Sequence, residues 1–443
     1  MNMLLPYNRD ELIVMPDSRF DPSSELLPPE QVFEPETHAV SEIAIPAVAD
    51  NGELLVHATS THEAVLAPKV PGPGFWEACL WFVGFLVTHA VAAIVAAVVV
   101  LVWTLATSGI DFGDRGAVEQ MLQASLKQQG IGLILGEMLL FVVVAIGAGL
   151  LRTGRQPFRK LGRASLSPQH LVLIMGGAFP LMVFCGSLHH HLNAAWTALL
   201  EQVPALRLFD TTNINTFMAT LKDVPIPLLI LAIAVCPALG EEIIFRGVIG
   251  RGLTARYGVV AGVLLTSCFF AFAHIHPAHS LAVLPLGIFL HVAYLATRSW
   301  IAPVLIHFIN NAVAVGMMQV ADQLAGNQLA DDAAQPAWVM VVTGLIALGT
   351  LVALWKSRVE YRDQVGHEWN PGYPTVEQPP ERIAPVTVLR PVNPFLVSSA
   401  MAAGCLMTGV FVMGIAAAVI QEGLPPEPSE AARDVTAPAT EEN

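Results

Sequence analysis

Residues 227–249 read PLLILAIAVCPALGEEIIFRGVI, uncharged except for Glu241, Glu242 and Arg246. As a helix rising about 1.5 Å per residue, the stretch reaches roughly 35 Å, enough to cross a hydrocarbon core of about 30 Å. The rest of the chain shares its character. Of 443 residues, 54% are hydrophobic and only 13% charged, with a mean hydropathy of +0.58, a balance that points to a multi-spanning membrane protein. The net charge of −14 does not point to nucleic acid, because the acids gather at the ends. Residues 1–70 hold twelve Asp/Glu against Arg9, Arg19 and Lys69, and residues 421–443 are acidic and rich in Pro and Ala. Both ends read as disordered or loosely folded. Five cysteines without CxxC spacing indicate neither a disulfide framework nor a zinc ribbon. No basic start followed by an apolar run marks a cleaved signal peptide, so targeting is expected from the first span.

Read at about 20 apolar residues per crossing, the chain offers spans near 78–105, 131–151, 170–192, 227–249, 258–275, 281–297, 301–320, 337–355 and 395–420. Pro180 and Pro285 interrupt two of them, so the expected fold is an all-α integral membrane bundle of about eight to nine helices. The division is expected as follows: an acidic, Pro-rich cytoplasmic segment (1–74), N-terminal membrane helices (75–224), a catalytic core (225–320), a further span (321–355), a Pro-rich cytoplasmic linker (356–393), a last span (394–420) and an acidic tail (421–443). Basic residues occupy alternate loops: Arg152, Arg155, Arg159, Lys160 and Arg163, then Arg251 and Arg256, then Arg298, then Lys356 and Arg358. The loops between carry Asp111, Asp114, Asp210, Asp223, Asp331 and Asp332. By the positive-inside rule the basic set, and with it the N-terminus, is expected in the cytoplasm.

A charged residue near a helix centre opposes insertion by roughly 2.5–3.5 kcal/mol, and such residues are usually functional. Glu242 and Arg246 stand four apart and can neutralise one another across one turn. Glu241, turned about 100° away, is not offset by that contact. The plain alternative is a structural ion pair, which leaves the second carboxylate unexplained. The next apolar runs place His274 on one membrane helix, one turn after Phe270, and His307 with Asn311 on one face of another.

Three strings, EEIIFR (241–246), FAFAH (270–274) and HFINN (307–311), resemble in order and spacing the EExxxR, FxxxH and HxxxN motifs of the CPBP intramembrane proteases. That family contains the CAAX prenyl endopeptidases of the Rce1 type and the bacterial Abi proteins. The likeness covers roughly residues 225–320. It implies an intramembrane endopeptidase whose partners are the lipid bilayer and a membrane-associated or lipidated protein or peptide. It further implies that Glu241 and His274 activate water and that His307 and Asn311 face the oxyanion. Glu242, with a possible share in catalysis, Arg246 and Phe270 would support the site. A metal-dependent variant stays open, with Glu241, His274 and His307 holding Zn²⁺; the lack of a close-spaced ligand pair such as HExxH favours the metal-free route. The family's spread suits a bacterial cytoplasmic membrane. No GxSxG motif points to serine chemistry, and no GxGD motif to aspartyl chemistry.

Two other classes compete. A catalytically silent scaffold or regulator predicts a broken motif, and every motif position is intact. An ion-coupled transporter using the buried Glu and His predicts repeat symmetry, and none is visible. Among the remaining histidines, SLHHHLN (187–193) reads as the end of a helix, His276 and His279 as a solvated turn, and His291 as an interhelical hydrogen bond. Glu137 is a membrane acid without an assigned partner.

Overall fold

A computed structural model describes residues 70–108, 130–212, 221, 224–325, 337–380, 385–390, 394–395, 397–400 and the single positions 116, 119, 402 and 406. The expected span at 395–420 and both acidic ends lie largely outside these residues. The described chain is an all-α membrane bundle with one small sheet. In order it contains α1 (Phe75–Ser108), α2 (Gly130–Thr153), the short α3 (Pro157–Leu161) and α4 (Pro168–Gln202). A 3₁₀ segment, Pro204–Thr212, leads on towards a long helical run from Ile226 to Phe272. That run breaks at Gly258, whose φ of 84° and ψ of 172° are not helical, into α5 (226–257) and α6 (259–272). Then come α7 (Pro277–Thr297), α8 (Ile301–Ala325), α9 (Ala337–Lys356), β1 (Val359–Arg362) and β2 (Val386–Leu389).

Among the described residues, six helices are long and apolar enough to cross a membrane, with 301–317 as a shorter apolar helix. The count of eight to nine is not confirmed among these residues: 226–272 enters the six as one run although Gly258 divides it into α5 and α6, and the expected last span lies largely outside the described residues. Pro180 does not end α4, which continues to Gln202; packed neighbours make such prolines tolerable in membrane helices.

Burial separates centre from periphery. The windows of 226–272 and α7 are 61% and 67% buried, against 17% in both α1 and α2. The central core joins Phe245, Phe270, Leu290 and Ile306 with Leu173 on α4. Small residues set the approach of these helices. A Cβ at Gly287 would press on Ser267 and Phe270, and one at Gly250 would fall on the His291 ring. His291 is fully buried and meets Thr254 Oγ1 at 3.1 Å, the interhelical bond expected of it.

The segment after α9 is more than a linker. β1 and β2 pair antiparallel, with Val359 opposite Leu389 and Arg362 opposite Val386. Glu360, fully buried, is ringed by Arg358, Arg362 and Arg390. Arg298, at the C-terminus of α7, lies 4.8 Å over the Tyr361 ring, and burial pushes the Tyr361 phenol above its ordinary range. Glu377 pairs with Arg159 at 2.6 Å. The segment thus closes the basic end of the bundle over α3 and the α7–α8 turn. Its Pro-rich composition hid this, because the ordering contacts are long-range ion pairs rather than local periodicity.

Gly250→Ala should lower stability by about 1–3 kcal/mol, the usual range for overpacking a tight core, because the new methyl displaces His291. Thermal unfolding in detergent checks this, with Gly84→Ala, where a Cβ meets open space, as the near-neutral control.

Candidate active site

The local geometry of α5 decides where its charges point. Turns of wider, π-type spacing run over Ile230–Val235 and Ile243–Gly250, with an ordinary α-helical stretch, Cys236–Glu242, between them. Such insertions re-aim side chains and concentrate at functional positions. Pro237 has no N–H for the Ile233 carbonyl one turn earlier, and Asn311 Nδ2 donates to that carbonyl at 2.8 Å. Every residue from Ile243 to Gly250 is buried.

Glu242 is fully buried, and its Oε1 accepts two bonds of 2.8 Å, from Arg246 Nη1 and from His307 Nδ1. Arg246 is equally buried; its Nη2 donates to the Gly287 carbonyl at 3.1 Å and its guanidinium carbon lies 4.4 Å from the Phe270 ring centroid. Phe270 is the wall that the group shares. The rings of His274 and His307 meet it edge-on at 5.3 and 5.7 Å, and Phe245 does so at 5.5 Å. Helices α5, α6, α7 and α8 therefore meet through one carboxylate, one guanidinium and one aromatic ring.

Glu241 stands apart from this hub. Its Oε2 is buried and has no hydrogen-bond partner among the described residues. His274 lies just past α6, in the turn that follows Phe272, rather than within a helix as the sequence suggested. Its Nδ1 is 3.0 Å from the Phe270 carbonyl; a carbonyl only accepts, so the proton sits on Nδ1 and the lone pair on Nε2. Of the expected residues, Glu242, Arg246, His307 and Phe270 form a bonded hub, with Glu241 next to Glu242 in the chain and His274 against the Phe270 ring. Asn311 is turned to the α5 backbone at Ile233, and its Oδ1 accepts from Asn310 Nδ2 at 3.0 Å.

The three residues considered as zinc ligands do not form a ligand group. Among the described residues no three His, Cys, Asp or Glu side chains are arranged to hold a metal ion, and the His307 nitrogen that faces the hub is taken by Glu242.

Residues 223–313 match the family model described as type II CAAX prenyl endopeptidase Rce1-like. This segment is similar to the Rce1-like family. The Rce1-like match encloses all three motifs and supports a CAAX-type intramembrane protease kind of function. With six long apolar helices, the chain is a multi-pass membrane protein. No curated protein and no solved structure matches it.

Several residues around the Rce1-like segment escaped the sequence reading. Glu137 on α2 meets His89 of α1 at 3.1 Å. The His89 ring stacks on Phe141 at 3.9 Å, and Phe141 packs against Gly240, the residue before Glu241. Only a pairing between α1 and α2 reveals that link, and nothing in either helix alone signals it. His276, expected in a solvated turn, is fully buried, and His279 is partly so. The run at 189–191 lies within α4, which continues for three more turns, rather than at its end. The Ile233 carbonyl escaped it too, although Pro237, which lacks an N–H, was a local signal for it.

The two carboxylates should separate in a stability assay. Glu242→Ala strips a buried guanidinium of its counter-charge and should cost about 3–5 kcal/mol. Glu241→Ala removes a side chain without a bonded partner and should cost less than about 1 kcal/mol. Chemical unfolding of both variants in one detergent gives the comparison; equal losses would show that the hub is not the brace.

Proposed function

We propose that the protein is an intramembrane endopeptidase that hydrolyses a peptide bond of a membrane-associated or lipidated, CAAX-like protein. The observation that carries this reading is that the hub is flanked by two less committed groups: Glu241, next to Glu242 in the chain, with a buried carboxylate oxygen that has no hydrogen-bond partner among the described residues, and His274, against the Phe270 ring with its Nδ1 committed to the Phe270 carbonyl. A carboxylate with spare hydrogen-bonding capacity beside an imidazole with an open Nε2 is what binding and deprotonating a water requires.

In this mechanism a water held between Glu241 and His274 gives up a proton to the pair, and its oxygen attacks the scissile carbonyl carbon. The carbonyl π electrons move onto oxygen, making a tetrahedral oxyanion. His307 presents its Nε2 edge to that oxygen, donating from it as an imidazolium, and Asn311 offers its second amide N–H. The C–N bond then breaks as the pair returns the proton to the leaving amine. Glu242, Arg246 and Phe270 touch none of the reacting atoms and act as positioning residues. A carboxylate with two donors already on one oxygen holds its neighbours better than it attacks a proton.

Support for a lipidated substrate comes from a groove of about 400 Å³ between α1 and α2, lined by Leu80, Phe85, Val144 and Ile244. Ile244 lies on α5 one turn from Glu241, so an apolar chain in the groove would run beside the reacting bond. The basic loops support a cytoplasmic side for the N-terminus and the β1–β2 segment, and the spread of the CPBP proteases supports a bacterial cytoplasmic membrane.

Glu241→Gln keeps the shape of the side chain and removes the base. Terminal-peptide mass spectrometry on membranes carrying each form at matched levels should show substrate termini falling at least about 100-fold in the variant. Coincident profiles would remove Glu241 from the chemistry.

A further inference from the structure

Five buried polar atoms gather at the end of the bundle opposite the basic loops: His189 Nδ1 and Nε2, Asn193 Oδ1, Trp196 Nε1 and His276 Nε2. None has a hydrogen-bond partner among the described residues. The first three residues are spaced four and then three apart on α4, so they share one face. That face looks onto the turn after α6 and the start of α7. The Trp196 ring is 5.9 Å from His276, and the His189 ring is 5.4 Å from His279 and faces the Ala278 backbone without closing a bond. His279 in turn is 4.9 Å from His274. At the other end of the string Asp210, on the Pro204–Thr212 segment, places Oδ1 3.6 Å from His276 Nε2, with its side chain 44% exposed.

Buried polar groups in folded proteins are almost always satisfied by protein or by ordered water. One orphan is tolerable at about 1–3 kcal/mol; four in one place, beside a fifth that meets Asp210 only at 3.6 Å, are not a stable arrangement without a further partner. A gap of 3.6 Å is the separation at which a bridging water is the first thing to ask about, and a site with several polar partners is the kind that holds one. The backbone explains why the recess exists. α6, residues 259–272, rises only about 21 Å, less than the roughly 30 Å hydrocarbon thickness. The turn that follows it is therefore set in from the membrane face.

We propose that this recess holds a string of bound waters running from Asp210 past His276, Trp196 and His189 to His279 and His274, and that it supplies the water consumed at Glu241 and His274. The second half of the proposal rests on the protease reading above. A hydrolase embedded in hydrocarbon has no bulk water beside its scissile bond, so each turnover draws one molecule through protein.

X-ray hydroxyl-radical footprinting of the intact protein in lipid nanodiscs tests the string without reference to activity. Trp196 should be modified at least about fivefold faster than Phe179, a comparably buried aromatic on the same helix, if water is bound beside it. Equal rates would remove the waters. The supply role is read from turnover: His189→Leu combined with Asn193→Leu should lower kcat about tenfold with KM unchanged, whereas His189→Gln, which keeps a donor and an acceptor, should stay near wild type. Loss of the Trp196 signal in the double variant with kcat intact would overturn the supply role. A wild-type protein that cleaves nothing would instead sink the protease reading, and the footprint would still decide whether the waters are there.

Discussion

Everything in the central bundle is arranged around one oxygen, Glu242 Oε1, which accepts from Arg246 on its own helix and from His307 on α8. A carboxylate with no exposure to solvent survives only where donors replace the water it has lost. Two donors on one oxygen, a guanidinium that also reaches the α7 backbone and an aromatic face under that guanidinium together meet this condition. The same contacts explain why four helices stop where they do. Moving α7 by one residue would take the Gly287 carbonyl from Arg246, and moving α8 would take His307 from Glu242. A buried ion pair is weak evidence for stability by itself, since apolar replacements of the same volume often do as well. Its value here is in registry: it fixes the relative heights of helices whose apolar surfaces would tolerate sliding.

That registry depends in turn on backbone irregularities in α5. A regular helix from 226 to 257 would carry Glu241 and Glu242 on a constant spiral, with Pro237 leaving the Ile233 carbonyl orphaned inside the membrane. The two wide turns change the phase on either side of the acidic pair, and Asn311 meets the freed carbonyl. Asn311 thus has a structural duty beside any catalytic one. A substitution there disturbs the backbone that aims Glu241, and a loss of activity would not by itself place the amide at the oxyanion.

Much of this was legible in the sequence, for reasons that can be named. The i, i+4 spacing of Glu242 and Arg246 made their pairing a local matter, and the proline–carbonyl relation at 237 and 233 is equally local. Hydropathy located most of the helices because the bilayer imposes a length on them. What stayed hidden was whatever needed two distant segments at once. Glu137 had no reading until His89 stood opposite it. The β1–β2 segment looked like a linker because its order comes from Glu360 among three arginines and from Arg298 on Tyr361. The turn at His276 and His279 looked solvated because a hydropathy reading assumes that turns reach the membrane surface, and α6 is too short for its turn to do so.

The short α6 also bears on how the reaction could be divided in space. The hub at Glu242 is sealed towards the basic end by the eight buried residues from Ile243 to Gly250, and beyond them by the β1–β2 segment. His274 lies on the other side of Glu241, at the end of the bundle where Asp210, His276 and His189 bring polar atoms inward. An apolar groove approaches from a third direction, between α1 and α2. Water and a hydrophobic chain would then reach the site by different routes, and this separation solves a problem that any hydrolase in a membrane faces. A single open cleft would admit both, but it would expose the Glu242–Arg246–His307 hub to solvent and weaken, through the higher dielectric, the contacts that hold four helices in register. Keeping the brace dry while wetting only its neighbour requires two carboxylates with different surroundings. Adjacent residues on a helix, about 100° apart, provide that separation with no insertion in the chain.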